Sequence, residues 1–393
     1  MQKRINLAQV MRTIRQLHPL SRADVARHTG LTKSTVSNLV RDLIQRGLIT
    51  ETTGAGARAA GRPPILLDIA GSPWVAGVEL RPDRVRLVRV SLTGSVGTRE
   101  EQTLLAAASG ERVAATAGER LAATAGERLA VTGDTGTALE AAWRTAQGML
   151  DLRIDADCLG VSVAVPATVN PVTGEILESE EFGAGAGMLR YGGSAELPLA
   201  VENDANAVAW AVIRDHAEGD GRTGNALVVM GRRRPDGRSM RVGTGLVIER
   251  RVYYGTRFNA GEFRSYRWRA DHDGELSTPA DADLLGRAAG IELLESLAVA
   301  VSMLRPDVIV LAGDLAGEGD RLGQLIREEL SGSAIDPAVS GVVFVDALDA
   351  GWSVARGAAH MFLEHLYAVP SADRVRPVSV PYWDVTGIGT CGS

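Results

Sequence analysis

Side chains that can hydrogen-bond to bases and phosphates are concentrated in one short stretch near the N-terminus. Between positions 32 and 41, hydroxyls, an amide, a lysine and an arginine follow one another with few apolar residues between them. Hydroxyls and amides can read base edges, and cations hold phosphates. The stretch therefore predicts a DNA-reading element, in which Lys33 is expected to hold a phosphate. The predicted contacts are Arg22, Thr32, Lys33, Ser34, Thr35, Ser37, Asn38 and Arg41.

Three amphipathic helices are predicted to position these side chains. Apolar residues recur every three or four positions in residues 5–17 and 33–46, which is helical spacing. Ser21 and Thr32 stand where an N-cap would begin a helix, and Gly30 supplies the turn between the second and third helices. This order is typical of a helix-turn-helix, whose recognition helix enters the major groove.

A wing is predicted behind the third helix. Residues 48–52 and 65–69 have the composition of two short strands, and the loop between them is rich in glycine and carries Arg58 and Arg62. Arginines on such a loop can lie in a narrow minor groove, which attracts guanidinium groups. The alternative is a flexible linker with two unrelated arginines.

The distribution of charge supports the DNA interpretation. The whole chain has a net charge of −6, yet residues 1–70, here called the head, contain eleven Lys or Arg and four acidic residues. The head therefore carries +7, and the remaining residues carry −13. A basic DNA-binding domain on an acidic body limits nonspecific contact between the body and phosphates.

The body is predicted to be an α/β structure of two parts. Val-rich strands alternate with helices from about residue 158 to residue 366, which favours a mixed sheet covered by helices. We expect domains at 1–70, 71–200 and 201–393. The second contains an octapeptide repeat at 109–132, built on a recurring GER, to which no function is assigned.

Composition excludes several classes of protein. No apolar run reaches the roughly 18 residues of a membrane span, and the N-terminus lacks the features of a signal peptide. The two cysteines cannot build a disulfide framework or a thiolate zinc site on their own. We therefore expect a cytoplasmic protein without a membrane partner.

Several segments, in their order and spacing, resemble the ROK family of repressors, open reading frames and sugar kinases. These segments are GRPP at the end of the head, GVSVAVPATVNPVTGEIL, VENDANAVAWA, GTGLVIERRVYYGTRFNAGE and RPDVIVLAGD. The resemblance implies an actin-like, ribonuclease H-like ATPase fold of two lobes with a sugar cleft. In the repressor branch a winged helix-turn-helix precedes this fold, and the protein acts as a homodimer.

The resemblance also shows what this chain lacks. Where ROK kinases have a D-x-G-x-T phosphate loop, the chain has Glu79-Leu80-Arg81-Pro82-Asp83, in which the glycine is gone and proline removes an N–H group. The second phosphate loop is interrupted by residues 232–240. We therefore expect no enzymatic activity and no cofactor.

Four residues are carried over from the family as candidates for effector binding: Asn203, Asp204, Glu262 and Glu181. The alternative for Asp204 is a carboxylate that only caps the following helix. The histidine expected after Glu262 is missing, because Arg264 and Ser265 follow Phe263. The cysteine cluster of the family is missing as well, so no metal site is expected.

The leading hypothesis is a DNA-binding transcriptional repressor. Its partners would be a double-stranded operator, a second copy of the chain, and a sugar or sugar-phosphate effector. Pairing of dimers into tetramers is left open. A second hypothesis keeps the DNA role but makes the body a scaffold that senses no sugar. A sugar kinase is the third hypothesis, and the damaged phosphate loops count against it.

Overall fold

The computed structural model of the chain describes most of its residues. These are 2–53, 64–104, 132–133, 137–191, 197–217, 224–234, 237–267, 274–278, 285–370 and 380. The predicted wing loop with Arg58 and Arg62, the octapeptide repeat up to residue 131 and nearly all of the C-terminal tail lie outside them. The chain forms two compact units. Unit 1 comprises residues 1–163, 171–201 and 359–393, and unit 2 comprises residues 164–170 and 202–358.

The head is a winged helix. Its elements are α1 (Gln2–Leu17), β1 (Leu20–Ser21), α2 (Arg22–Thr29), α3 (Lys33–Gln45), β2 (Ile49–Thr53) and β3 (Ile65–Ile69). The three strands form an antiparallel sheet in the order β1-β3-β2. The predicted helices and both predicted strands are confirmed. The two-residue strand β1 was not predicted, since so short a strand has no periodic pattern of its own.

Local rules explain how the head folds. Ser21 and Asp24 form a capping box at the start of α2, in which the Asp24 N–H donates to the Ser21 hydroxyl over 3.2 Å. The hydrogen bonds that Ser21 returns lower the pKa of the Asp24 carboxyl. Gly30 ends α2 with a φ of 71°, a conformation that favours glycine. The buried face of α1 supplies the core of the head, with Leu7, Val10, Met11 and Ile14.

Unit 1 is built on a five-stranded sheet behind the head. Its elements in chain order are β4 (Trp74–Leu80), β5 (Arg84–Ser91), β6 (Val96–Thr103), β7 (Thr132–Gly133), α4 (Thr137–Asp151) and β8 (Cys158–Val165). After β9 (Thr168–Asn170), which lies in unit 2, follow β10 (Glu175–Glu178), β11 (Gly187–Met188) and β12 (Leu199–Asn203). The main sheet has the order β12-β8-β4-β5-β6, and α4 packs on β4 and β5. Strand β6 was not predicted, because its outward residues are mostly polar and exposed.

Unit 2 is a mixed sheet with helices on both faces. Its further elements are α5 (Asp204–Ala217), β13 (Ala226–Arg233), β14 (Ser239–Ile248), β15 (Arg251–Val252), β16 (Leu276–Ser277), α6 (Arg287–Leu304) and β17 (Val308–Gly313). Then come α7 (Gly319–Leu325), a π-helical turn (Ile326–Leu330), α8 (Asp336–Val339), β18 (Phe344–Asp346) and α9 (Ser353–Leu366). The strand order is β15-β14-β13-β17-β18, and β13 pairs in parallel with β17.

The alternation of residues along β13 shows how this sheet is covered. Leu227 and Val229 point into a core shared with α6 and α7, and Val228 and Met230 point into a core shared with α5 and α9. A strand buried on both faces reads as a continuous apolar run, as the sequence pattern predicted. Two helices differ from the bounds predicted for them. Gly286 is extended, so α6 starts at Arg287 rather than near residue 282, and the helix predicted near 321–330 loses its α-helical pairing after Leu325.

Helix α9 has residues in both units, since the boundary between the units falls after Ala358. Its first turns pack against α5 in unit 2. A side chain at Gly357 would place a Cβ atom 1.8 Å from the carbonyl oxygen of Ala207, so only glycine allows this close approach of the two helices. No helix of the described residues is long and apolar enough to cross a membrane.

Candidate DNA-binding and effector-binding sites

Four of the ten residues predicted to contact DNA are exposed on α3. Ser34, Asn38 and Arg41 are exposed and lie on one helical face, and Lys33 is exposed at the first turn. The opposite face buries Val36, Leu39, Val40 and Leu43 in the core of the head. The polar face therefore points away from the core. Gln45 is exposed and continues the same face. It was not among the predicted contacts, although its position four residues after Arg41 indicates that it shares this face.

Two of the predicted contacts also stabilise the helix itself. Thr32 is the N-cap of α3, and its hydroxyl accepts a hydrogen bond of 3.2 Å from the Thr35 N–H. The same hydroxyl lies 3.0 Å from the Ser34 hydroxyl and 2.9 Å from that of Thr35. These bonds order the first turn of α3, so a DNA contact by Thr32 or Thr35 would compete with capping.

Arg22 is exposed in part, and its partner lies within the head. Its guanidinium donates to Glu51 over 2.7 Å, which ties the start of α2 to the strand β2. Because Arg58 and Arg62 lie outside the described residues, their predicted place in a wing stays a prediction.

The four acidic residues of the head each lie beside a basic side chain of the head. Glu51 pairs with Arg22, as described. The other pairs are Asp24 with Arg27, Asp42 with Arg46 at 2.8 Å, and Asp68 with His18 at 2.8 Å. Their negative charge is therefore compensated locally, and the excess of cations is left to attract phosphates.

A second candidate site is an open pocket in unit 2. Its empty volume is about 330 Å³, and it lies at the N-terminus of α5, beside the middle of β14 and the loop that follows β15. Hydroxyls, amides and one carboxylate make up its polar wall. The lining residues are Thr168, Asn203, Ala205, Asn206, Gly243, Thr244, Phe258, Asn259, Ala260, Gly261 and Glu262.

Two asparagines form the wall at the start of α5. Asn203 caps the helix: its Oδ1 accepts from the Asn206 N–H over 3.0 Å, and its Nδ2 donates to the carbonyl of Ala167 over 3.0 Å. Asn206 is buried, and its Oδ1 has no hydrogen-bond partner among the described residues. An acceptor without a donor at a pocket wall is suited to a ligand hydroxyl. The sequence analysis missed Asn206, although it lies one helical turn after Asn203.

The glutamate at the pocket mouth is held by a tight turn. Glu262 is exposed, and it forms an isolated bridge with Gly243 of β14. Gly261 has a φ of 93°, and a Cβ atom there would lie 2.3 Å from the carbonyl oxygen of Thr244. Only glycine fits this close approach, which places the Glu262 side chain at the pocket.

A buried acid lies directly behind the asparagines. Glu202 accepts hydrogen bonds from the Tyr254 hydroxyl at 2.6 Å, from the Trp210 indole at 3.3 Å and from the Asn203 N–H at 2.8 Å. The Nδ2 of Asn206 lies 3.5 Å from Oε1, the oxygen that also accepts from the Asn203 N–H. Burial raises the pKa of Glu202 to about 7, although these hydrogen bonds oppose the shift. Glu202 thus holds one face of the pocket in place.

Comparisons with known proteins bear on the head and on the chain behind it. Residues 8–59 match the model of the MarR family. The chain is 27% identical over 267 residues to a putative xylose repressor of Caldicellulosiruptor sp., covering 66% of this chain and 58% of that protein. It is 30% identical over 95 residues to the xylose repressor of Bacillus subtilis, or 24% of each chain. The chain thus spans less than two thirds of the length of these curated relatives.

Solved structures show the fold. A ROK family transcriptional regulator, described as a homologue of the E. coli MLC protein, superposes with a TM-score of 0.64 over 91% of this chain and 95% of its own, at 16% identity. A ROK glucokinase from Streptomyces griseus, solved with glucose and AMPPNP, superposes with a TM-score of 0.51 over 73% of this chain and 98% of its own, at 16% identity. The chain therefore has the fold of these ROK proteins, with a winged helix at its N-terminus.

The expected role of Asp204 in this ROK-type chain needs correction. Asp204 is the first residue of α5, but its carboxylate does not line the pocket. It is buried beside the guanidinium of Arg232 on β13, with side-chain exposures of 6% and 8%. The helix-cap alternative was also incomplete, since neither interpretation included Arg232. A buried carboxylate needs a counter-charge, and the arginine-rich hairpin that follows Met230 supplies it.

The segments that replace the phosphate loops of ROK kinases are closed by ion pairs. At the turn after β4, Asp83 lies 2.7 Å from Arg84 and 3.3 Å from Arg81. Burial raises the pKa of Asp83, but these arginines outweigh it and the net pKa is lowered. In unit 2, Arg232 pairs with Arg241 and Arg233 with Met240, so the described ends of the segment predicted to interrupt the second loop belong to the β13–β14 hairpin.

The remaining candidates lie elsewhere. Glu181 belongs to unit 1, between β10 and β11, and is not among the residues that line the pocket, so its role stays a prediction. Ser265, at the position near which the family has histidine, donates its hydroxyl to Glu292. Among the described residues no three His, Cys, Asp or Glu side chains form a group that could hold a metal ion.

Proposed function

We propose that this chain is a DNA-binding transcriptional repressor whose ROK-type fold senses a small neutral sugar. The observation that carries the proposal is the exposed polar face of α3 on a winged helix of net charge +7. Such a face is what a recognition helix presents to base edges in the major groove. The relatives named xylose repressors support a repressing role for the whole chain.

The pocket favours a neutral sugar over a sugar phosphate. Its described wall contains amides, hydroxyls and the Glu262 carboxylate, but no lysine or arginine. A phosphate group would need cationic or backbone donors, whereas ring hydroxyls can bond to Asn206 and Thr244. The relatives that are named xylose repressors make D-xylose the first sugar to test.

The operator is expected to be a palindrome bound by two copies of the chain. Two-fold symmetric winged-helix proteins read half-sites that lie about one helical turn or its multiples apart, in steps of roughly 10 bp. Binding of sugar would change the operator affinity only through a difference in affinity for two arrangements of the protein. The dimer and the operator belong to this proposal.

The test begins with selection of DNA. Duplexes from a random pool are enriched on the full chain, and their affinity is then measured by fluorescence anisotropy at fixed salt, with and without D-xylose. A palindromic consensus whose affinity falls in D-xylose supports the proposal. Asn38→Ala, on the exposed face of α3, should lose base discrimination, whereas Gln2→Ala, an exposed position on α1, serves as the control. Enrichment of no consensus would overturn the proposal.

A scaffold that senses no sugar is the alternative for unit 2. Thermal unfolding with D-xylose, D-glucose and glucose 6-phosphate separates the two. A bound sugar at 100 times its Kd stabilises the folded state by about 2.7 kcal/mol. A rise in the unfolding temperature with D-xylose that is lost in Asn206→Ala supports sensing. An unchanged unfolding temperature with all three compounds supports the scaffold.

A kinase remains the only enzymatic alternative that the fold suggests. In the ROK resemblance the base is Asp204, but here that carboxylate is buried against Arg232 and does not reach the pocket. A general base must lie within hydrogen-bond distance of the hydroxyl that it deprotonates. ADP release in the presence of ATP and D-xylose or D-glucose would contradict this reasoning.

A further inference from the structure

A buried arginine of the head makes its contacts outside the head. Arg15 lies on α1, and its side chain is only 6% exposed, whereas Arg12, one turn earlier, is exposed. Met11, one helical turn before Arg15, and Ile14 belong to the buried core of the head. Arg15 therefore lies at the border of that core, and its ion pair and its ring contact both reach beyond the head.

The partners of Arg15 lie at the C-terminal end of α9 and just beyond it. Its guanidinium is 2.8 Å from the carboxylate of Glu364 and stacks 4.2 Å above the centre of the Tyr367 ring. Tyr367 is itself buried, and its hydroxyl donates to the carbonyl of Leu92 over 3.3 Å. The Nε of Arg15 has no hydrogen-bond partner among the described residues. An ion pair and a cation–π contact thus converge on one side chain of the head.

Helix α9 is also the helix that packs on the pocket side of unit 2. It is fixed to α5 at two points. Gly357 touches Ala207 near the start of α5, and Arg356 forms two hydrogen bonds of 2.6 and 2.7 Å with Asp215 near its end. The N-terminus of α5, in turn, is part of the pocket wall. Helix α5, which begins at the pocket, is therefore bound firmly to α9, the helix whose C-terminal end contacts Arg15.

We propose that Arg15 is a positioning residue that fixes the DNA-binding head to α9, so that occupancy of the pocket alters how the head meets DNA. This rests on the proposed function. A sugar that favours a different position of the α5 N-terminus shifts α9 with it, because Gly357 leaves no space between the two helices. The contacts of Glu364 and Tyr367 then hold the head in a different orientation, or release it.

The contact itself is tested on the full chain without DNA. Hydrogen–deuterium exchange is compared for wild type, Arg15→Met and the matched control Arg12→Met, which lies on the same helix but is exposed. Arg15→Met should raise exchange in the last turns of α1 and of α9, and Arg12→Met should not. Glu364→Gln, which leaves the head unchanged in sequence, should raise exchange in the same two places. Wild-type exchange in both variants would overturn the proposal.

Coupling is tested with the selected operator duplex and D-xylose. Allosteric ligands typically change affinity by about 5- to 150-fold, and wild type is expected to respond within that range. In Arg15→Met the ratio of affinities without and with D-xylose should fall towards one, and Arg12→Met should keep the wild-type ratio. The charge-swapped variant Arg15→Glu with Glu364→Arg should recover part of the ratio, which a purely structural defect would not allow.

The outcomes separate this inference from the proposed function. If wild type selects no duplex, the proposed function fails, and the exchange data alone decide whether Arg15 fixes the head. If wild type binds DNA and responds to D-xylose, an unchanged ratio in Arg15→Met and Glu364→Gln overturns the coupling. If Arg15→Met unfolds the head, the coupling is decided by Glu364→Gln, from its ratio of operator affinities without and with D-xylose.

Discussion

Replacement of Arg232 by methionine isolates the buried ion pair beside the pocket. The substitution keeps a long flexible side chain on β13 but removes the positive charge that faces Asp204. Both side chains are less than a tenth exposed, so solvent cannot take over the role of the lost partner. The Asp204 carboxylate also accepts a hydrogen bond of 2.8 Å from the Ala205 N–H, which methionine leaves intact. The variant therefore leaves the buried Asp204 carboxylate without its counter-charge at the start of α5.

The size of the effect follows from burial. Removal of one partner of a buried ion pair costs about 3–5 kcal/mol, whereas an exposed pair contributes about 0–1 kcal/mol. Arg287→Met is the matched control in the same unit, since the Arg287 side chain is 66% exposed where it meets Glu329. The double variant with Asp204→Asn should recover most of the loss, because asparagine carries no charge and can keep the bond to Ala205.

Hydrogen exchange at equilibrium measures the free energy of local opening of β13 and of α5. For a chain of two units, this method is better suited than a single unfolding midpoint measured on the whole chain. Arg232→Met should lower these energies by about 3–5 kcal/mol at pH 7, and the control by at most about 1 kcal/mol. An equal, small effect in both variants would refute the account of a buried pair. A double variant no more stable than the single one would refute the charge argument.

Three further predictions concern the acid behind the pocket, the helix contact and the recognition helix. Burial raises the pKa of Glu202 from 4.5 to about 7, so the folded state keeps a proton that the unfolded state releases. The contribution of Glu202 to the free energy of unfolding should therefore be complete below pH 4.5 and should fall by about 3 kcal/mol towards pH 7. Urea unfolding measured across this pH range should show the slope, and the same slope in Glu202→Gln would contradict it. Gly357→Ala should cost about 1–3 kcal/mol in thermal or urea unfolding, because its Cβ would meet the Ala207 carbonyl, whereas Gly351→Ala has open space and should cost less than this. Lys33→Ala should weaken DNA binding across sequences and reduce the slope of log affinity against log salt by about one, measured by anisotropy; an unchanged slope would remove Lys33 from the phosphate contacts.

The head could be predicted almost completely from the sequence, because its rules are local. The cap by Ser21, the cap by Thr32 and the apolar spacing of α3 each lie within a few residues of what they determine. The core strands of unit 2 were predictable for a similar reason: a strand covered on both faces is an uninterrupted apolar run. Weak or polar strands such as β6 lacked that signal.

The pocket was predictable only in part, because its surroundings depend on contacts between distant residues. Asn203 and Glu262 followed from the family resemblance, and both line the pocket. The pairing of Asp204 with Arg232 joins a helix start to a strand that follows the helix, and no local pattern shows which arginine of the run 232–234 turns inward. The partners of Glu202 likewise come from 8 and 52 residues away.

The state of Asp204 bears on how the proposed repressor could use a fold that it shares with ROK kinases. A kinase needs a carboxylate that is open to the substrate, so that it can accept a proton from a hydroxyl. A sensor needs only a difference in affinity between two arrangements, and a reactive base contributes nothing to that difference. Arg232 neutralises the carboxylate while Asn203 and Asn206 stay at the pocket wall, so the arrangement favours recognition of a hydroxyl over its deprotonation. The same ion pair holds the start of α5 to β13, and α5 is the helix to which α9 is bound through Gly357 and Arg356. Loss of the pair in Arg232→Met should therefore weaken the response to sugar through a loosened α5 without creating kinase activity.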